Sequence, residues 1–65
     1  MPIVRIEVAQ GRDPETLRKA LRAVHEAARD SLGVRDEQVR VLLTEVPPQH
    51  WSAGGKTLQE REQER

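Results

Sequence analysis

Four residues of this 65-residue chain have types and positions that could do chemistry together: Pro2, Arg12, Arg40 and Trp51. An internal proline nitrogen is an amide and has no basic lone pair. Once Met1 is removed, Pro2 carries a free secondary amine, which can take a proton. An unperturbed α-amine titrates near roughly 8, so it is mostly protonated at neutral pH. Desolvation and a nearby positive charge both lower that value. Ile3, Val4 and Trp51 can supply apolar surroundings, and Arg12 and Arg40 the charge. A depression of one to two units needs only about 1.4 to 2.7 kcal/mol. A guanidinium also grips a carboxylate through paired hydrogen bonds, and it stabilises negative charge on a carbonyl oxygen as an enolate forms. The expected chemistry is proton transfer by Pro2 on a small carboxylate substrate, with no cofactor. Against this, a loop arginine is ordinarily solvated, and a strand arginine ordinarily pairs with an acid such as Glu45 or Glu7.

The elements that would position these residues follow from periodicity. Ile3 to Ala9 reads as a strand, with Val4, Ile6 and Val8 alternating with Arg5 and Glu7. Gly11-Arg12 breaks the alternation. Asp13-Pro14 then opens a helix, Asp13 as cap and Pro14 at the first helical position. Leu17, Ala20, Leu21, Val24, Ala27, Ala28 and Leu32 share one helical face, and Gly33 is the expected stop. His25 sits at the edge of the apolar stripe and reads as a surface histidine. Val34 to Gln38 reads as a linker and Val39 to Val46 as a second strand. Strand, helix and strand of these lengths predict a βαβ unit with parallel strands and a right-handed crossover. Pro47-Pro48 ends the second strand. The segment His50-Trp51-Ser52-Ala53-Gly54-Gly55 is turn-rich and leads to a short C-terminal strand or hairpin. Residues 59–65 are polar and charged, and a frayed tail is expected there. The fold class is therefore α+β, one domain over 1–58 followed by the tail 59–65.

Composition bounds the rest. A chain this short buries only roughly 60% of its unfolded surface. This one has no Phe, no Tyr, one Trp and no Cys, so neither a disulfide nor Cys-ligated zinc can hold it. His25 and His50 fall short of a metal-site pattern. One helix covers one face of a two-stranded sheet, which leaves Leu42 and Ile3 uncovered on the other. Parallel sheets are normally covered on both faces. Self-association is therefore expected, with sites between subunits. Acidic and basic residues balance at eleven each, which argues against a nucleic-acid partner. No apolar run approaches the roughly 20 residues of a membrane span. No signal-peptide pattern opens the chain, and a cytoplasmic location is expected.

With these pieces in order, the chain resembles the 4-oxalocrotonate tautomerase family over nearly its whole length. The resemblance rests on Met1-Pro2-Ile3-Val4, on Glu7 to Arg12, on Val39-Arg40-Val41 followed by Thr44-Glu45, and on His50-Trp51 before Gly54-Gly55. It implies a βαβ protomer, pairing into dimers, and commonly a hexamer of three dimers. It also implies an amino-terminal proline base that moves a proton within an enol acid such as 2-hydroxymuconate. Pro2 matches that base. Arg12 matches the arginine for the distal carboxylate, and Arg40 the one that grips the carbonyl end. Trp51 stands where the family usually has a phenylalanine, and its larger indole carries an N–H. Superfamily relatives that hydrolyse chloroacrylic acids add an arginine late in the first strand and a carboxylate near the aromatic residue. The matching positions here are Ala9 and Ala53, so proton transfer is favoured over hydration. A hydratase or dehalogenase, or a non-catalytic subunit of a hetero-oligomer, are the alternatives.

Overall fold

The computed structural model describes residues 1–63. Strand β1, Ile3–Ala9, is followed by helix α1, Pro14–Leu32, and strand β2, Arg40–Val46. A two-stranded hairpin follows, β3 at Ser52–Ala53 and β4 at Lys56–Thr57, and then helix α2, Leu58–Gln63. β1 and β2 pair in parallel from Ile3 opposite Arg40 to Ala9 opposite Val46. This is the expected α+β protomer built on a βαβ unit, with a C-terminal hairpin.

α1 forms where the sequence punctuates it. The Asp13 carboxylate accepts from the Thr16 N–H at 2.9 Å, and Pro14 occupies the first turn. At the other end Gly33 adopts φ 67°, a left-handed conformation that costs glycine nothing. The Gly33 and Val34 N–H groups both donate to the Arg29 carbonyl, at 2.9 and 3.2 Å.

The register sorts the sheet into two faces. Val4, Ile6, Val8, Val41 and Leu43 share the partly buried face. Ile3 and Leu42 lie on the opposite face, 57% and 47% exposed. Val39, 6% exposed, is the one hydrophobic residue among those described that is buried.

The isolated chain is thus short of a core. Its accessible surface is 5101 Å², whereas a compact chain of 7.4 kDa exposes about 4,200 Å². Its radius of gyration is 15.1 Å, against about 11 Å for a compact 65-residue domain. The surplus of about 900 Å² is close to what one partner contributes to a standard protein interface.

Three local expectations are corrected. The linker at 34–38 contains a 3₁₀ turn, Asp36–Gln38, closed by a Gln38 N–H to Arg35 carbonyl bond at 3.0 Å. The second strand begins at Arg40 rather than Val39, because the Val39 N–H bonds back to the Asp36 carbonyl at 3.2 Å. Residues 59–63 are helical, not frayed. Thr57 and Glu60 form a reciprocal cap: the Thr57 N–H donates to Glu60 Oε1 at 3.0 Å, and the Glu60 N–H to Thr57 Oγ1 at 3.1 Å. Arg61 Nη2 ties the helix to the Ala53 carbonyl at 2.7 Å. That carbonyl borders a two-residue turn in which Gly54 and Gly55 both take positive φ, 65° and 86°. The last two positions of the expected tail lie outside the described residues. Among those described, no helix is long and apolar enough to cross a membrane.

Candidate active site

The parallel register fixes where each candidate residue lies. Pro2 directly precedes β1, and its carbonyl accepts the Arg40 N–H at 3.0 Å. Pro2 and the start of β2 are therefore held together at one end of the strand pair. Pro2 is partly buried, while Met1 before it is 77% exposed.

Arg40 does not pair with Glu45 or Glu7. Its Nη1 donates to the Glu37 carbonyl and, at 3.4 Å, to the Val39 carbonyl. The guanidinium is thus curled toward the 3₁₀ turn just before its own strand. A neutral carbonyl orients the group without cancelling its charge, so the charge stays available to an anion.

Arg12 is at the opposite end. It follows β1, and its Nη1 donates to the Ala9 carbonyl at 3.2 Å. Six strand steps separate Ile3 from Ala9, about 20 Å at the rise of a β-strand. Trp51 also belongs to the far end, after β2 and the 3₁₀ turn Pro48–His50. It is partly buried, and its carbonyl accepts the Leu58 N–H at 2.8 Å. Within one chain the structure brings Pro2 and Arg40 together and leaves Arg12 and Trp51 at the other end of the sheet.

Sequence patterns missed a polar cluster centred on Asp36. Asp36 Oδ1 accepts from His25 Nε2 at 2.8 Å and from Arg29 Nη1 at 2.9 Å. His25, expected at the surface, has a side chain only 28% exposed. Its hydrogen bond, followed by that of Arg29, holds the Asp36 carboxyl below the usual carboxylate range. Arg29 also bonds Asp30, Nε to Oδ1 at 2.8 Å, and lowers that carboxyl too. The separation of eleven residues between His25 and Asp36 matches no local motif. The signal available was a histidine and an arginine one helical turn apart, facing the acidic segment after Gly33. Among the described residues, no group of three or more His, Cys, Asp or Glu side chains could hold a metal ion.

Comparison with known proteins identifies the family of the chain. The family model for tautomerase enzymes matches residues 2–61. A 2-hydroxymuconate tautomerase of Pseudomonas sp. (strain CF600) is 41% identical over 56 residues, covering 86% of this chain and 89% of that one. Another, from Bacillus subtilis (strain 168), is 31% identical over 62 residues, covering 95% and 100%. Among solved structures, a 4-oxalocrotonate tautomerase isozyme from Methylibium petroleiphilum superposes with a TM-score of 0.94 at 36% identity, covering 98% of this chain and 100% of that one. A heterohexamer 4-oxalocrotonate tautomerase from Chloroflexus aurantiacus J-10-fl gives 0.87 at 37% identity, covering 92% and 97%. A βαβ protomer carrying an early proline beside a strand arginine, matched in sequence and in backbone to these enzymes, belongs to the tautomerase family and is a tautomerase.

Proposed function

We propose that Pro2, freed by removal of Met1, is the general base of a cofactor-independent tautomerase acting on a small unsaturated carboxylic acid. A dienol acid such as 2-hydroxymuconate is the expected substrate class, in line with the relatives of that activity. The amine takes the enol hydroxyl proton and returns a proton to carbon, giving the ketone. Arg40 stabilises the oxygen on which negative charge develops, and Arg12 binds the distal carboxylate. Trp51 keeps the site apolar, which lowers the amine's proton affinity and strengthens both guanidinium contacts.

The observation that supports this reading is the bond between the Pro2 carbonyl and the Arg40 N–H, which ties the backbones of the two residues together at a single strand end. Arg12 lies about 20 Å away along β1, which supports a site completed between protomers. Two copies packed head to tail bring Arg12 and Trp51 of one to Pro2 and Arg40 of the other. The exposed Ile3 and Leu42 face and the surplus surface support such self-association.

The reading is tested by following ketonisation of 2-hydroxymuconate with Met1 removed and with the terminal nitrogen blocked, the two states being verified by mass spectrometry. Loss of the base lowers kcat by roughly 10²- to 10⁴-fold. Equal activity of the blocked protein refutes the reading.

A further inference from the structure

We propose that Asp36 is a positioning residue for Arg40, acting through the 3₁₀ turn Asp36–Gln38; this rests on the reading of Arg40 given above. The structure supplies an unbroken set of contacts from helix to guanidinium. His25 and Arg29, one turn apart on α1, converge on a single oxygen of Asp36 at 2.8 and 2.9 Å. Asp36 opens the turn, and its own carbonyl accepts the Val39 N–H at 3.2 Å. The turn is closed by two further bonds, Gln38 N–H to the Arg35 carbonyl and Arg35 N–H to Gln38 Oε1, both 3.0 Å. The middle residue of the turn, Glu37, presents the carbonyl on which Arg40 Nη1 rests. Val39, at the exit of the turn, is 6% exposed and pins the chain to the helix-covered face.

Each part has a physical reason. Exposed ion pairs contribute little to stability, so the Asp36 node is poorly explained as a stabilising device. Two donors fixed on one rigid helix set the direction of a carboxylate, and through it the pitch of a three-residue turn. An arginine side chain is long and rotamer-rich. A carbonyl held in place selects one of its conformers and leaves Nε and Nη2 for a substrate oxygen. A misplacement of about 1 Å in such a group can cost on the order of 100-fold in rate. Partial release of the turn is therefore expected to appear in kcat, where transition-state stabilisation is read, with KM little changed.

A double-mutant cycle tests the coupling. Asp36→Ala, Arg40→Ala and the double variant are assayed with 2-hydroxymuconate alongside the unsubstituted protein. Asp36→Ala is expected to lower kcat about tenfold when Arg40 is present and less than twofold when it is absent. Asp36→Asn, which keeps an acceptor oxygen, recovers most of the loss. An equal loss in both backgrounds, or no loss in either, overturns the proposal. If Arg40→Ala alone leaves kcat unchanged, the reading of Arg40 fails and the inference falls with it. If Arg40→Ala lowers kcat and the two losses simply multiply, the inference alone fails. Should Asp36→Ala not fold, the same cycle run with His25→Ala removes one of the two donors, leaves the turn's backbone bonds in place, and reads the same coupling.

Discussion

Replacing Leu42 with Asp is expected to prevent assembly and, with it, folding. Leu42 lies on the sheet face that α1 does not cover, 47% exposed, and shares that face with Ile3 at 57%. The surplus surface of about 900 Å² per protomer is about 57% apolar if it resembles an ordinary interface. At about 25 cal/mol per Å² its removal from water contributes about 13 kcal/mol per protomer. Association opposes this with a cost of about 4 to 15 kcal/mol for each copy that joins the assembly, so in an assembly of several copies the net margin per protomer is a few kcal/mol. Leu42→Asp forfeits about 1 kcal/mol of apolar burial and adds several kcal/mol for desolvating an unpaired carboxylate. The change recurs in every copy, so the margin is exhausted. Sedimentation velocity at about 10 µM is expected to show a single-chain species, and far-ultraviolet circular dichroism a loss of helix, since a 65-residue chain rarely has a sufficient core alone. Leu42→Met, close in volume, is expected to assemble normally because such swaps cost under about 1.5 kcal/mol. A Leu42→Asp protein that sediments and unfolds like the unsubstituted one refutes the argument that this face is covered.

Other outcomes are specific to single contacts. Asp13→Ala removes the carboxylate that caps α1 and is expected to cost about 1 kcal/mol, read as a lower denaturant midpoint at fixed protein concentration. Thr57→Ala breaks the reciprocal cap of α2 and is expected to raise amide exchange over 58–63 while leaving exchange in α1 unchanged. Asp13, Asp30, Asp36 and Glu60 all titrate below their ordinary range, through hydrogen bonds from Thr16, Arg29, His25 and Thr57 respectively. A folded value below the unfolded one means that the stabilisation is complete above about pH 4 and is lost as pH falls through the folded values. The melting temperature is therefore expected to drop modestly, through the four exposed carboxyls together, as pH falls below about 4; a melting temperature that does not change over that range contradicts the argument.

The parts of the fold that rest on periodicity and punctuation were legible in the residues. Val4, Ile6 and Val8 announce β1, and Asp13-Pro14 and Gly33 bracket α1 at its observed ends. The parallel pairing then follows from the βαβ order, and the distance between Pro2 and Arg12 from the length of β1. Two features were hidden for different reasons. α2 carries a visible signature, Thr57 followed three residues later by Glu60, but its charged composition resembles a solvated tail. Its stability depends on a bond from Arg61 to Ala53 across the Gly54-Gly55 turn, which no local pattern reveals. The Asp36 node is a tertiary contact between α1 and a three-residue turn, and nothing short-range in Val34 to Gln38 distinguishes it from a loop. The residue types of the candidate site were readable, whereas the carbonyl that orients Arg40 belongs to the backbone and has no sequence signature.

The central claim is that the Pro2 nitrogen is deprotonated near neutrality because guanidinium groups and apolar side chains surround it. The most direct measurement is a nitrogen-15 NMR titration of that amine in the assembled protein with Met1 removed. A midpoint one to two units below the ordinary α-amine value of about 8 is expected, moving back upward in Arg40→Ala. A midpoint at or above about 8, or one indifferent to Arg40, contradicts the account.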